Sequence, residues 1–180
     1  MDSKHRVVRS AQKEEIEDLN KLIQESARGL SRKHYTPQQI ESLIRYVFSV
    51  DSELIEDQTY YVIDEGGAYL ACGGWSKRRT LFGGDHCLDR TQGSLDPHQE
   101  AAKIRAFFVA PAYVGQGLAK MLMNVCEEKA KAAGFTKTEL MSTLPGVDFY
   151  KNQGYVGEHL IDYTLPDGVI VQFMPMSKTF

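Results

Sequence analysis

Within AAKIRAFFVAPAYVGQGLAKMLMNVCEEKAKAAG, Ala101 to Gly134, the hydrophobic pattern changes from a strand to a helical period. Ile104 to Val109 is β-rich and largely apolar, which predicts a buried strand, and Pro111 ends it by removing a backbone donor. Gly115-Gln116-Gly117 follows. From Leu118 the apolar residues fall at Leu118, Met121, Leu122, Val125 and Cys126, which predicts a helix with one buried face. Lys120, Glu127, Glu128, Lys129 and Lys131 take the opposite face, and Gly134 is a C-terminal stop.

Before this stretch, Arg6 to Arg9 reads as a short strand, with Ser10 capping a helix that carries Ile16, Leu19, Leu22 and Ile23. Thr36 and Pro37 open a second helix with Ile40, Leu43, Ile44 and Val47 on one face. Thr59 to Ile63 and Ala68 to Ser76, joined through Gly66-Gly67, form a hairpin. Gly73-Gly74 inside its second arm marks a bulge or a close approach. The run from Lys77 to Glu100 has no periodicity and is expected to be functional or mobile, its charges mostly solvated. Beyond Gly134, Thr138 to Ser142 is a strand and Gly146 to Gln153 a short helix ending at Gly154. Tyr155 begins a strand continuing over Glu158 to Thr164, and Val169 to Met174 closes a C-terminal hairpin. The order is β α α β β, loop, β α β α β β.

Composition narrows the function classes. A chain of 180 residues fits one domain, residues 1–180, and a net charge of −3 without a basic run argues against nucleic acid. No apolar run spans a bilayer and the charged start lacks a signal-peptide core, so a cytoplasmic protein without membrane attachment is expected. Cys72, Cys87 and Cys126 show neither disulfide nor zinc spacing. Asp85-His86 has no companion ligands at useful spacing, so no metal is implied.

A strand, a glycine turn and a helix N-terminus together suit an anion, because the first helical N–H groups lack partners and carry partial positive charge. Glycines chosen only for positive φ in a tight connection give the same pattern. A nucleotide P-loop needs Gly-Lys-Ser/Thr, whereas Lys120 is followed by Met121; a dinucleotide fingerprint needs a glycine where Lys120 stands.

The element order and two blocks at its centre resemble the GCN5-related N-acetyltransferase (GNAT) superfamily. The family loop Arg/Gln-x-x-Gly-x-Gly/Ala falls on Val114-Gly115-Gln116-Gly117-Leu118-Ala119, after Val109-Ala110-Pro111. The second block is Phe149-Tyr150-Lys151-Asn152-Gln153-Gly154-Tyr155. The resemblance implies an α/β (α+β) fold: a mixed, mostly antiparallel sheet of six to seven strands, flanked by about four helices, with strands four and five splayed. It implies acetyl-coenzyme A as co-substrate. Pyrophosphate would lie on the amides of Val114, Gly115, Gln116, Gly117, Leu118 and Ala119, and the pantetheine arm along Phe107, Phe108 and Val109. Val114 departs from the family's Arg or Gln, which implies weaker affinity. Dimerisation is common in the family, so a homodimer is an expectation.

Acetyl transfer requires a neutral amine, a polarised thioester carbonyl and a proton for the departing thiolate. The resemblance assigns the last role to Tyr150, which also contacts the cofactor. The charged residues of the central strand are Lys103 and Arg105, neither of them a base while protonated. Glu100 is the nearest carboxylate and the candidate base, with Asp96, His98 and a water chain as alternatives. Arg105 and Trp75 are candidate substrate contacts, against salt-bridge and core readings. The expected activity is transfer of acetyl to a primary amine of a small molecule or peptide in a ternary complex. A non-catalytic acyl-coenzyme A sensor and a transferase of longer acyl chains are the alternatives.

Overall fold

A computed structural model describes residues 5–180; the first residues of the charged N-terminal start lie outside the described residues. Seven strands, β1 (Arg6–Ser10), β2 (Tyr60–Glu65), β3 (Ala68–Ser76), β4 (Ala102–Val109), β5 (Lys137–Thr143), β6 (Ile161–Thr164) and β7 (Ile170–Thr179), form one sheet in the order β1-β2-β3-β4-β5-β7-β6. All neighbours are antiparallel except β4 and β5. Helices α1 (Ile16–Leu30), α2 (Pro37–Tyr46) and α3 (Ser52–Glu56) precede β2, α4 (Leu118–Ala132) follows β4, and α5 (Val147–Asn152) follows β5.

Both faces of the sheet are covered, so the central strands are apolar on both sides. In β2, Tyr60 and Val62 pack with α1, α2 and α3, while Tyr61 and Ile63 pack with α4. Thr36 caps α2 as its sequence predicts, accepting from the Gln39 amide at 3.2 Å while Gln39 accepts from the Thr36 amide at 2.9 Å. Ser10 caps nothing, because it pairs with Tyr61 in β1. The first helical turn is set instead by Glu15, which accepts from the Gln12 amide at 2.8 Å and from Arg9 at 2.6 Å.

Those bonds hold the Glu15 carboxyl down to about 2, the Arg9 hydrogen bond being the largest cause. A depressed carboxyl contributes stability above its unfolded value and loses it as pH falls through the folded one. Urea unfolding between pH 5 and 2 should therefore show a shallower acid loss in Glu15→Gln than in wild type; equal slopes would remove the pair from the acid response.

Several boundaries differ from the sequence pattern. The helix α3 interrupts the stretch before β2, with Asp51 as its cap, accepting from the Glu53 amide at 3.0 Å. Residues after Tyr155 do not continue as a strand: Val156 makes one bridge to Ser177, and β6 begins only at Ile161. On α4 the buried face is turned toward Leu118, Leu122, Met123, Cys126 and Ala130, leaving Met121 exposed. Glu127, on the nominally polar face, is buried because Lys178 reaches both its oxygens at 3.0 Å and Tyr155 donates to it at 3.1 Å. Tyr155 Oη also meets Thr138 Oγ1 at 2.8 Å, so this cluster pins α4 to β5 and β7.

Candidate active site

β4 and β5 pair only through Ala102–Thr138 and Lys103–Glu139, then diverge. Beyond that point the β5-facing main chain of β4 has no strand to bond, and a cavity of about 600 Å³ opens between them. Unpaired main-chain groups at such an opening need another partner, which suits an extended amide-bearing ligand.

A bulge fixes the middle of β4. Two steps on β3, from Gly74 to Cys72, face three on β4, from Arg105 to Phe108. The extra residue places Ala106 at φ 54°, a left-handed conformation uncommon for alanine. The buried Tyr60 hydroxyl donates to the Ala106 carbonyl at 2.9 Å and holds the bulge in place. Opposite, a side chain at Gly73 would collide with the Phe107 ring, so glycine is what admits that ring. The close approach expected of Gly73-Gly74 is therefore real, and its partner is the bulged strand.

At the cavity's outer end, Gly115 and Gly117 adopt φ 79° and 76°, and a side chain at either would meet nothing within 4 Å. Backbone conformation, not space, requires glycine there. Gly117 is the N-cap of α4, and the first helical bond runs from the Met121 amide to its carbonyl at 3.1 Å. No acidic residue occupies the first turn of α4, so its positive end has no internal carboxylate to offset it. Val114, Gly115, Gly117, Leu118 and Ala119 line the cavity; Gln116 does not, its side chain accepting from Arg6 at 2.6 Å. Lys120, exposed as its helical position predicts, also lines the cavity.

At the inner end, Phe107, Phe108, Val109 and Tyr150 all line the cavity. Tyr150 sits among Phe107, Phe149 and Tyr155, with ring centroids at 6.4, 5.1 and 5.9 Å. Its hydroxyl has no hydrogen-bond partner among the described residues, and burial pushes the phenol well above its ordinary value, so it carries its proton throughout the neutral range.

Two expected contacts lie elsewhere. Glu100 does not line the cavity: it pairs with Arg79 and accepts from the Asp96 amide at 2.7 Å, and these bonds lower its pKa, the Asp96 amide most. A carboxylate so held is a poor base, and Asp96 and His98 are likewise outside the lining. Trp75 is a core residue, edge-on to Phe135 at 6.2 Å. Arg105 does reach the cavity wall, but its guanidinium is engaged, donating to Asp51 at 2.8 Å, to the Thr80 carbonyl at 3.1 Å and to the Gly83 carbonyl.

Those bonds explain the run from Lys77 to Glu100. Arg90 pairs with Asp51 and Glu53, Arg78 with Asp57, and Asp85 accepts from Ser52, while Lys77, Arg79, Asp85, Asp89 and Asp96 stay exposed, as the sequence leads one to expect. Phe82 then crosses the cleft to pack on Tyr163 and Phe173, at 5.1 and 5.5 Å, and Asp89 accepts from Tyr163. The segment is a fixed wall of the cavity, reaching from β3 to the β6–β7 hairpin.

A sheet opened between parallel β4 and β5, with a bulged strand and a left-handed glycine turn onto a helix, makes a mixed α/β fold with one cleft at its splayed strands. The profile described as "Acetyltransferase (GNAT) family" matches residues 16–155, and the chain belongs to that family. No curated protein matches the sequence. Among solved structures, the fold is similar to a GCN5-related N-acetyltransferase from Rhodopseudomonas palustris, at 16% identity and TM-score 0.71 over 100% of this chain and 99% of that one. It is also similar to the PaiA N-acetyltransferase of Thermoplasma acidophilum, solved with coenzyme A, at 14% identity and TM-score 0.63 over 98% and 99% of the two chains. YncA of Salmonella typhimurium, solved with acetyl-coenzyme A as its cofactor, gives 13% identity and TM-score 0.61 over 97% of this chain and 94% of that one.

Proposed function

We propose that this chain, acting as a single catalytic domain, transfers an acetyl group from acetyl-coenzyme A to a primary amine by direct attack in a ternary complex. The observation that carries the reading is the continuity of one cavity from the residues at the start of α4, along the unpaired side of β4, to Tyr150. Pyrophosphate is placed on the amides from Gly115 to Ala119, with Lys120 beside it. Pantetheine amides pair with the main chain of Phe107 to Val109. The thioester carbonyl then meets amides at the bulge, where developing negative charge is stabilised without reorganisation.

In the reaction the amine lone pair attacks the thioester carbon, the C–S bond breaks, and the sulfur takes the Tyr150 proton. The nitrogen releases one proton, through water, which restores the phenol. Acyl-coenzyme A and amine thus become amide and free coenzyme A. No role falls to Glu100 in this scheme, because its carboxylate is turned away and bound.

Lys120→Met should weaken acetyl-coenzyme A binding about tenfold, as expected for losing one charge-assisted phosphate contact. The wild-type affinity should fall with salt more steeply than the variant's. Calorimetric titration at two salt concentrations checks this; equal affinities would remove Lys120 from the phosphate site.

Thiol release from acetyl-coenzyme A across an amine panel tests the activity. Amine-dependent release supports transfer. Tight cofactor binding without release under any amine would favour the sensor reading, which the lack of a carboxylate at the thioester end favours.

A further inference from the structure

The inner end of the cavity says more about the acceptor than its amine. Its walls come from the last turn of α1 with Ala27 and Leu30, from Val47 and Phe48 after α2, and from the crossing segment with Phe82. Phe108 and Phe173 close it from the sheet, and Phe48 meets Phe108 edge-on at 5.3 Å. Among the described residues the charged side chains lining the whole cavity are two cations, Lys120 at the phosphate end and Arg105 at this one. The balancing Asp51 carboxylate lies behind Arg105, fully buried and already shared with Arg90.

An ammonium group entering here would exchange water for largely apolar walls among which, of the described residues, no carboxylate stands. Desolvating a charge without a partner is strongly unfavourable. The nitrogen must therefore arrive neutral. An alkylamine as basic as lysine is neutral in only about one molecule in 2,500 at pH 7. A nitrogen attached directly to an aromatic ring is neutral throughout, and once it has attacked the carbonyl its N–H is acidic enough for water to remove.

From this geometry we infer that the acceptor is a small, weakly basic amine carried on a flat apolar body, an arylamine in chemical type, seated between Leu30, Phe48, Phe82 and Phe173. The inference rests on the acetyl-transfer reading and names the substrate class of the same site. Atoms balance as in the scheme above, the proton lost from nitrogen equalling the one gained by sulfur.

The experiment compares p-anisidine, phenethylamine, spermidine and an alanine-led peptide as acceptors, by thiol release with the wild-type protein. At pH 7 the arylamine should exceed phenethylamine in kcat/KM by about tenfold or more. Its kcat/KM should be flat from pH 6 to 9, while that of phenethylamine rises about tenfold per pH unit, tracking its neutral fraction. Leu30→Glu, at a position 36% exposed and so tolerant of charge, should raise the relative rate of the cationic acceptors. Preference for spermidine, the peptide or phenethylamine would overturn the inference. So would faster reaction with hexanoyl- than with acetyl-coenzyme A, because the apolar space would then belong to the acyl chain.

A binding arm separates this inference from the reading beneath it. With the site saturated by coenzyme A, p-anisidine should bind more tightly than spermidine by calorimetry, whether or not turnover occurs. Absent turnover with that order kept would sink acetyl transfer and leave the ligand class standing; the reverse order would overturn the class itself.

Discussion

Asp51→Ala is expected to destabilise the protein by about 3–5 kcal/mol, the range for removing one partner from a buried ion pair. Asp51 is fully buried and receives Arg90 at 3.1 and 3.0 Å, Arg105 at 2.8 Å and the Glu53 amide at 3.0 Å. Without it, Arg105, only 2% exposed, keeps a charge that burial already opposes. The cap of α3 is lost in the same change. For a chain of this length the loss corresponds to roughly 6–20 °C in Tm. Asp51→Asn retains a hydrogen-bonding group and should fall between the two. Thermal unfolding of the three proteins, with limited proteolysis of the segment from Lys77 to Glu100, checks the account. Unchanged Tm and unchanged cleavage would mean that this carboxylate does not hold the cavity wall.

Tyr150→Phe is expected to lower kcat by about 10²–10⁴, the usual contribution of a positioned acid or base, and to leave acetyl-coenzyme A affinity unchanged. The phenylalanine keeps the packing against Phe107, Phe149 and Tyr155, so only the proton donor is removed. Burial raises the phenol's pKa, so its protonated form persists on the alkaline side. The wild-type kcat should accordingly show no loss from this group as pH rises to 9. Steady-state kinetics with calorimetry separate the two effects. Loss of cofactor affinity with turnover would make Tyr150 a packing residue instead.

The parts of the site legible in the sequence are those fixed by local backbone. Gly115 and Gly117 stand where φ is positive, and the shift from strand to helical period at Leu118 locates the start of α4. Pro37 and Thr36 announce α2 for the same reason. Residues whose partners are distant were harder to place. Glu127 belongs to a polar helical face by spacing, yet Lys178 draws it into the interior. Arg105 is a charge on an apolar strand until Asp51, far away in the chain, is seen to meet it. Glu100 is next to β4 in sequence, but its bonds to Arg79 and the Asp96 amide turn it from the cleft. The run from Lys77 to Glu100 lacks periodicity because main-chain and ionic bonds to the segment around Asp51 organise it, and these leave no regular spacing.

Lys120 shows the converse. Its helical position predicts solvent, and the cavity at the N-terminus of α4 begins on that same side. A cation in the first turn of a helix is electrostatically misplaced unless an anion comes to it. Val114 is 53% exposed and offers no polar group to a phosphate, so in the proposed site that contact would fall to Lys120.

Titration of acetyl-coenzyme A into wild type and Gly117→Val tests the central claim most directly. Gly117 has φ 76° and open space around it, so valine acts on the backbone of the helix N-terminus and not on packing. Wild type should bind saturably and one-to-one, and the variant should lose affinity severely. Failure of wild type to bind, or equal affinity in the two proteins with the variant folded, would contradict a cofactor held by the amides at the start of α4.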